Sequence, residues 1–178
     1  MKKIILKSKR LVLRTIKLSD APEYTRWFND EEIIKYLSTQ NKPTLEKEKK
    51  IIKEKLKSKD KNTFTILLKN KIIGFSSVKI FKSRNYASIG GAIGEKDEWG
   101  NGYGREAFET VLDYLFKKMK MNRVELEVYE DNKRAFKVYK RIGFKKEGVR
   151  REYHWNLITK KYDNDIMMSI LKREWKKK

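Results

Sequence analysis

Cysteine is absent from this chain of 178 residues, and histidine occurs once, at His154. The chain therefore has no disulfides or thiolate metal sites, and we expect no metal site. No apolar run is long enough to cross a bilayer, and the apolar stretch near the N-terminus ends at Leu6, too early for a signal peptide. These absences favour a cytoplasmic protein that does not associate with membranes.

Proline is scarce as well, with Pro22 and Pro43 alone, and no stretch rich in glycine, serine or proline resembles a linker. A chain of this length can bury a sizeable core within one unit. We therefore expect a single domain spanning residues 1–178.

Acidic residues are fewer than basic ones. The chain has 45 Lys and Arg and 24 Asp and Glu, which gives a formal net charge of +21. Such a charge suits contact with nucleic acid or the ribosome through phosphate groups. It equally suits a solvated lysine-rich surface, and the alternation of lysine with glutamate around Lys47–Lys61 favours this second reading. A basic binding module for nucleic acid or the ribosome stays open as an alternative function.

The spacing of apolar residues predicts alternating helices and strands. Strands are predicted over Arg10–Ile16, Thr63–Leu68, Ile72–Phe81, Ala87–Ile93, Arg123–Val128, Lys146–Trp155 and Tyr162–Leu171. Helices are predicted after Ser19, over Thr44–Lys57, from Gly104 to Met119, and from Asp131 or Asn132 to Ile142. This order predicts a mixed α/β fold, a sheet of about seven strands with helices on both faces.

A glycine-rich loop precedes the clearest helix of the chain. Gly100, Gly102 and Gly104 alternate with Asn101 and Tyr103, and Trp99 and Arg105 flank them. Glycine permits positive φ and lets a ligand approach the backbone, while the first amides of a helix attract anions. The loop is therefore a candidate phosphate site. Its spacing is neither that of a dinucleotide-binding fingerprint nor that of a P-loop.

A second motif follows as Asn132-x-x-Ala135-x-x-x-Tyr139-x-x-x-Gly143-Phe144. Together with Trp99–Gly104, where the family reads Gln/Arg-x-x-Gly-x-Gly/Ala, it resembles the GNAT superfamily of acetyl-CoA-dependent N-acetyltransferases. Arg10–Arg14 and Ser19–Ala21 are similar to the branch of ribosomal-protein-alanine N-acetyltransferases and their relatives that modify polyamines and other small amines. The resemblance covers nearly the whole chain and implies a central, splayed sheet. Trp99 departs from the family pattern, which puts a side-chain role at that position in doubt.

The resemblance implies roles for particular residues. The loop from Trp99 to Arg105 would hold the pyrophosphate of coenzyme A, and a backbone N–H near Ile93–Gly94 would lie beside the thioester carbonyl. Asn132 and Ala135 would contact the coenzyme arm, and Tyr139 would protonate the departing thiolate. Because no cysteine is present, transfer to the amine would be direct.

Each of these residues also has a purely structural interpretation. Tyr139 suits the apolar face of an amphipathic helix, and Asn132 suits a helix N-cap. The complete motif favours function for Tyr139, and both roles together for Asn132.

The acceptor is the least determined part. The resemblance implies that Trp27, Asp30 and Glu31 line the amine site. An acidic rim there suits a protein N-terminus, a polyamine or another small amine. The same acidic residues are equally compatible with an ordinary charged helix end that has no role in binding. Tyr153, His154 and Trp155 are candidates for the opposite wall. The general base stays open among Glu98, Glu125 and Glu127, or a chain of waters. A monomer and a homodimer are both compatible with the sequence.

Overall fold

A central β-sheet organises the chain, whose computed structural model describes residues 4–37 and 39–175. The described residues form one eight-stranded sheet in the order β1-β2-β3-β4-β5-β6-β8-β7. Its strands are β1 Ile5–Lys7, β2 Leu11–Thr15, β3 Lys61–Leu68, β4 Lys71–Phe81, β5 Tyr86–Ile93, β6 Arg123–Tyr129, β7 Lys145–Asn156 and β8 Lys161–Leu171. The predicted strands are present, and β1 is additional. Three residues between lysines are too few to show alternation, so only the pairing with β2 identifies β1.

Five α-helices connect these strands: α1 Ala21–Phe28, α2 Glu31–Ile34, α3 Leu45–Lys57, α4 Tyr103–Asp113 and α5 Lys133–Ile142. The α4 helix continues through a π-helical turn over Tyr114–Lys118. Helix α2 spans a single turn, so sequence periodicity does not reveal it. Its N-cap is Asp30, whose side chain accepts a hydrogen bond from the amide of Glu32. None of these helices combines the length and hydrophobicity needed to cross a membrane.

The helices divide between the two faces of the sheet. One buried cluster joins α4 and α5 to the inward side chains of β6, among them Val124, Leu126 and Val128. A second cluster joins α1, α2 and α3 around Phe75 of β4. The mixed α/β fold with helices on both faces is thus confirmed. We call these surfaces the α4–α5 face and the α1–α3 face.

A buried carboxylate attaches α1 to the sheet. Asp20 is 1% exposed, and it accepts hydrogen bonds from both terminal nitrogens of Arg14 at 2.7 Å and from Thr65 at 2.7 Å. Burial alone would raise the pKa of Asp20, but these donors outweigh it, and the pKa lies below its usual value. The ion pair therefore holds the start of α1 against β2 and β3.

The sheet divides between β5 and β6. These two strands are parallel and pair only from Tyr86 with Arg123 to Ser88 with Glu125. Beyond Ser88, β5 stays paired with β4 as far as Ile93, while β6 stays paired with β8 as far as Tyr129. The two halves of the sheet consequently separate, and the edge of β5 that faces β6 is left open.

Candidate active site

A cavity of about 770 Å³ occupies the gap between β5 and β6. Its wall includes Phe28 and Ile33 from the α1–α3 face and Phe108 and Tyr139 from the α4–α5 face, so it passes through the sheet. The volume lies within the range of small-molecule sites, roughly 300–1,000 Å³. The two faces of the sheet therefore contribute side chains to one site.

The glycine loop lies at the α4–α5 end of this cavity. Gly100 has φ 83° and Gly102 has φ 81°, backbone conformations that favour glycine. Gly102 is the N-cap of α4, and the amides that follow it belong to the first helical turn, where they have no acceptor within the helix. All the sequence-predicted loop residues except Asn101 line the cavity, namely Trp99, Gly100, Gly102, Tyr103, Gly104 and Arg105. This arrangement presents backbone donors to an anion at the positive end of α4.

Arg10 holds the loop in place, a role that sequence reasoning did not assign. Its Nε donates to Glu106 Oε2 at 2.6 Å, and its terminal Nη1 donates to the carbonyl of Asn101 at 3.1 Å. Its guanidinium also lies 4.4 Å from the ring centroid of Tyr103. Asn101 therefore supports the loop through its carbonyl and does not line the cavity, while its contact with the coenzyme stays a prediction.

Trp99 has a defined side-chain role. Its indole Nε1 donates to the carbonyl of Ile93 at 2.7 Å, so the ring ties the loop to the end of β5. The guanidinium carbon of Arg134 lies 4.3 Å from the ring centroid on the cavity side. Trp99 thus links the loop, the open strand edge and α5, in a position where the family often has a polar residue.

The open edge of β5 offers backbone groups to a ligand, but Gly94 is not among them. Its N–H donates to the carbonyl of Ile73 at 2.8 Å, and a Cβ on Gly94 would lie 2.2 Å from the indole of Trp27. Gly94 is therefore a packing glycine, and its expected role beside the thioester is corrected. Because donors alternate along a strand, the N–H of Ile93 and that of Gly91 point to the opposite edge, where both residues line the cavity.

The second motif places its residues in the same cavity. Asn132, Ala135 and Tyr139 all line it, and Asn132 Oδ1 accepts the amide hydrogen of Ala135 at 3.1 Å as the N-cap of α5. The Tyr139 ring packs 5.2 Å from that of Phe108, and burial raises the pKa of its hydroxyl above the usual value. Tyr139 consequently stays protonated at neutral pH and can act as a proton donor.

Three basic side chains of α5 extend this end of the cavity. Arg134, Lys137 and Arg141 line its wall at spacings of three and four residues, which places them on one helical face. They lie on the same helix as Asn132 and Tyr139, beside the loop that carries the free amides. This wall supplies positive charge where a phosphate-bearing ligand would enter.

The opposite end of the cavity differs from the sequence expectation. Trp27 is fully buried and donates through Nε1 to Glu95 at 3.0 Å, so it belongs to the core and not to the amine site. Asp30 caps α2 and pairs with Lys96 at 2.7 Å, and Glu31 points away to Lys42 at 2.6 Å. These corrections arise because the short helix α2 rotates the acidic stretch. The wall is formed instead by Phe28, Glu32, Ile33, Tyr36 and Leu37.

The candidate bases of the sequence analysis have different surroundings. Glu125 pairs with Arg123 at 3.1 Å and does not line the cavity, whereas Glu98 lies 3.9 Å from Lys71 and does line it. Glu127 pairs with Arg150 and lines the cavity, as do His154 and Asp165. Asp165 was not anticipated, because an aspartate within a strand next to other polar residues gives no sequence signal of burial.

Comparison with known proteins identifies the family to which this chain belongs. A model described as "Acetyltransferase (GNAT) domain" matches residues 10–145. An uncharacterized N-acetyltransferase, p20 of Bacillus licheniformis, is 28% identical over 176 residues, covering 96% of this chain and 97% of its own. This chain therefore belongs to the GNAT acetyltransferase family. It is accordingly an acyltransferase.

Two solved structures share the fold with this chain. A spermidine N-acetyltransferase from Vibrio cholerae, in complex with CoA and spermine, has a TM-score of 0.86 at 20% identity, covering 94% of this chain and 98% of its own. A ribosomal-protein-S5-alanine acetyltransferase from Vibrio fischeri has a TM-score of 0.82 at 23% identity, covering 98% and 100%. The fold is therefore common to enzymes named for a small polyamine and for a protein.

Proposed function

We propose that this protein transfers the acetyl group of acetyl-CoA directly to a primary amine, and that the amine is the N-terminus of a protein, as in ribosomal-protein-alanine N-acetyltransferases. The observation that carries the proposal is the shared cavity at the division of the sheet. It brings together the free amides of α4, the open edge of β5 and the hydroxyl of Tyr139. A polyamine or another small amine is the competing acceptor.

The α4–α5 end suits coenzyme A. The amides of Tyr103, Gly104 and Arg105 and the side chains of Arg134 and Lys137 are donors and cations placed for phosphate groups. The open edge of β5 can pair with the amide groups of an extended pantetheine arm, as a strand would. The thioester, once bound, supplies an activated acetyl group.

The chain's own residues then account for transfer. The N–H of Ile93 or of Gly91 can stabilise the negative charge that develops on the carbonyl oxygen. The hydroxyl of Tyr139, whose raised pKa keeps it protonated at neutral pH, gives its proton to the departing sulfur. No cysteine exists to carry the acetyl group, so the amine attacks it directly.

The charges at the acceptor end favour a protein N-terminus over a polyamine. Glu32 and Glu127 line the cavity, and each is already paired, Glu32 with Lys96 at 2.9 Å and Glu127 with Arg150. A polycation needs carboxylates that are not already neutralised, whereas an N-terminus brings one charge and an extended backbone. The net charge of +21 also disfavours a small polycation and favours an acidic partner surface.

Two measurements test the proposal. Calorimetry should show binding of both acetyl-CoA and free CoA, and release of free thiol should follow addition of an acceptor. We expect faster acetylation of short peptides with alanine or serine at a free N-terminus than of spermidine. The same peptides with a blocked N-terminus are the matched control and should not react.

Different failures of these measurements have different meanings. Absence of binding heat with either form of the coenzyme would contradict the proposed enzyme altogether. Faster acetylation of spermidine than of every peptide would contradict the proposed acceptor and support the polyamine alternative. Steeply salt-dependent RNA binding without acetyl transfer would instead support a basic binding module.

A further inference from the structure

A cluster of titratable groups lies at the α1–α3 end of the cavity. Glu127 of β6, His154 of β7 and Asp165 of β8 each have a side-chain oxygen or nitrogen within 4.8 Å of the other two. All three line the cavity. The proposed function gives Tyr139 a proton to donate but leaves the amine without a group that accepts one.

The side of the sheet on which this cluster lies is informative. Along β6, Val124, Leu126 and Val128 are buried in the α4–α5 core, so Glu127 and Tyr129 face the other way. The hydroxyl of Tyr129 donates to the carbonyl of Leu37, which confirms that this face meets the α1–α3 side. The cluster therefore stands opposite the coenzyme loop, on the side from which the amine would enter.

An irregularity in the sheet places His154 there. Arg150 pairs with Asp165, but the next pair of the ladder joins His154 with Asp163, so β7 holds two residues more than β8 in this interval. In a regular ladder Glu152 would lie opposite Asp163. The bulge is held by Glu152, at φ 48°, whose N–H donates to Asn164 Oδ1 at 2.8 Å. Bulges of this kind re-aim side chains and often occur next to active sites.

The bulge brings the only histidine of the chain to a buried carboxylate. His154 Nε2 lies 2.9 Å from Asp165 Oδ2, and Asp165 is 2% exposed whereas the His154 side chain is 30% exposed. Within the described residues, the second oxygen of Asp165 has no hydrogen-bond partner. A buried carboxylate behind a partly exposed imidazole is the arrangement that orients a histidine and stabilises its protonated form.

Glu127 is less suited to the same task. It is paired with the guanidinium of Arg150, which also lies 4.7 Å from the ring centroid of Tyr153. Its carboxylate is therefore already engaged by a cation, whereas His154 has a carboxylate partner that orients it. Glu127 instead contributes negative charge beside the incoming ammonium group.

We propose that His154, oriented by Asp165, accepts the proton that the ammonium group of the acceptor must lose before it attacks. The N–H bond of the ammonium breaks, its proton moves to the imidazole and then to solvent, and the imidazolium is stabilised by Asp165. The neutral amine then forms the N–C bond as the C–S bond breaks. The second amine proton leaves to solvent, and the thiolate takes the proton of Tyr139, which solvent restores. This inference rests on the proposed acetyl transfer.

The pH dependence follows from all the groups that face the pair. Burial raises the pKa of Asp165 to about 6; His154 and Arg150 oppose this shift, and Glu127 and Asp163 add to it. Tyr129 and Tyr153 are the other titratable side chains in ring contact with His154. As the pH falls through about 6, the pair takes up protons and can no longer accept one from the amine, so kcat/KM should fall on the acid side.

The test compares His154→Gln and Asp165→Asn with the matched control Glu147→Gln. Glu147 is a carboxylate of β7, as His154 is a residue of β7, but it pairs with Arg123 and does not line the cavity. With acetyl-CoA and a peptide bearing a free N-terminal alanine, His154→Gln should lower kcat/KM about 10²-fold or more at pH 7. Its rate should then rise with pH up to the ionisation of the amine itself. The control should keep the wild-type pH profile.

A spectroscopic readout is independent of turnover. Because His154 is the only histidine, imidazole NMR signals of labelled protein belong to it alone. Replacement of Asp165 by Asn should move the ring-nitrogen signals, because the imidazole loses the carboxylate that lies 2.9 Å from its Nε2. Unchanged ring-nitrogen signals in Asp165→Asn, or an unchanged rate and pH profile in His154→Gln, would overturn the inference. If the wild-type protein acetylates no amine, the proposed function fails instead, and the NMR comparison still tests the pair.

Discussion

The two ends of the cavity are constructed differently. The α4–α5 end is formed by two continuous segments, Trp99–Arg105 and Asn132–Arg141, whose backbone amides and regularly spaced side chains line the wall. The α1–α3 end is formed by single side chains from α1, α2, β6, β7 and β8, which lie far apart in the chain. In the proposed function, a local motif binds the coenzyme, and side chains that tertiary structure collects bind the acceptor.

The largest effect should come from Tyr139, where the two ends meet. Tyr139→Phe removes the proposed proton donor while keeping the ring contact with Phe108. We expect kcat to fall by about 10²- to 10⁴-fold, with little change in the affinity for CoA. Single-turnover kinetics and calorimetry measure these two quantities separately.

The matched control is Tyr114→Phe. Burial also raises the pKa of Tyr114, but its ring packs against Phe64, and it is not part of the cavity wall. This variant should keep the wild-type kcat. A Tyr139→Phe enzyme with an undiminished rate would show that the α4–α5 end only binds and does not donate a proton.

A smaller effect is expected from the coenzyme loop. Gly102→Val puts a branched side chain at φ 81°, with its Cβ 3.6 Å from Nη2 of Arg10, and so strains the loop that presents the first amides of α4. We expect the Kd for CoA to rise about tenfold or more, equivalent to about 1.4 kcal/mol, by calorimetry.

Gly143→Ala controls for backbone strain in this comparison. Gly143 has φ 120° at the end of α5 and lies outside the cavity wall. The control should lower the melting temperature and leave the Kd for CoA unchanged. If Gly102→Val binds CoA as tightly as the wild-type protein, the anion site has been assigned to the wrong loop.

The smallest predicted change is in the KM for spermidine, and it tests the charges at the acceptor end of the cavity. Lys96→Ala should release Glu32, which lines the cavity, from its cation and make the acceptor end more attractive to polyamines. Because exposed ion pairs contribute about 0.2–1 kcal/mol, the KM for spermidine should fall by about twofold to fivefold. Steady-state kinetics with spermidine and with a peptide acceptor would show whether the change is selective.

Lys42→Ala is the control for the loss of one positive charge near the acceptor end. It releases Glu31, which is paired with Lys42 and lies outside the cavity wall, so the KM for spermidine should stay constant. An equal fall in both variants would mean that only the overall charge matters, and that the acceptor end does not recognise charge locally.

The difference between the two ends of the cavity also separates the features that could be predicted from the sequence from those that could not. The helix from Tyr103, the cap at Asn132 and the end of α5 at Gly143 follow local rules of spacing and capping, and they are observed as expected. The expected contacts of Trp27, Asp30 and Glu31 were wrong, because the single turn of α2 has too few residues to show a periodicity and yet decides which side chains reach the cavity. Gly94 was assigned to the open edge of β5 although strand alternation directs its N–H to β4.

By itself, the sequence determined all the longer helices and strands, their order and the motif segments, since helix caps, glycine turns and apolar periods depend on neighbouring residues. Only the tertiary structure decided where β5 and β6 separate, that Trp99 joins the loop to Ile93, and that a bulge brings His154 to Asp165. Those features depend on strand register and on contacts between distant residues. Register is set by the packing of whole faces of the sheet, which no local stretch of the chain contains.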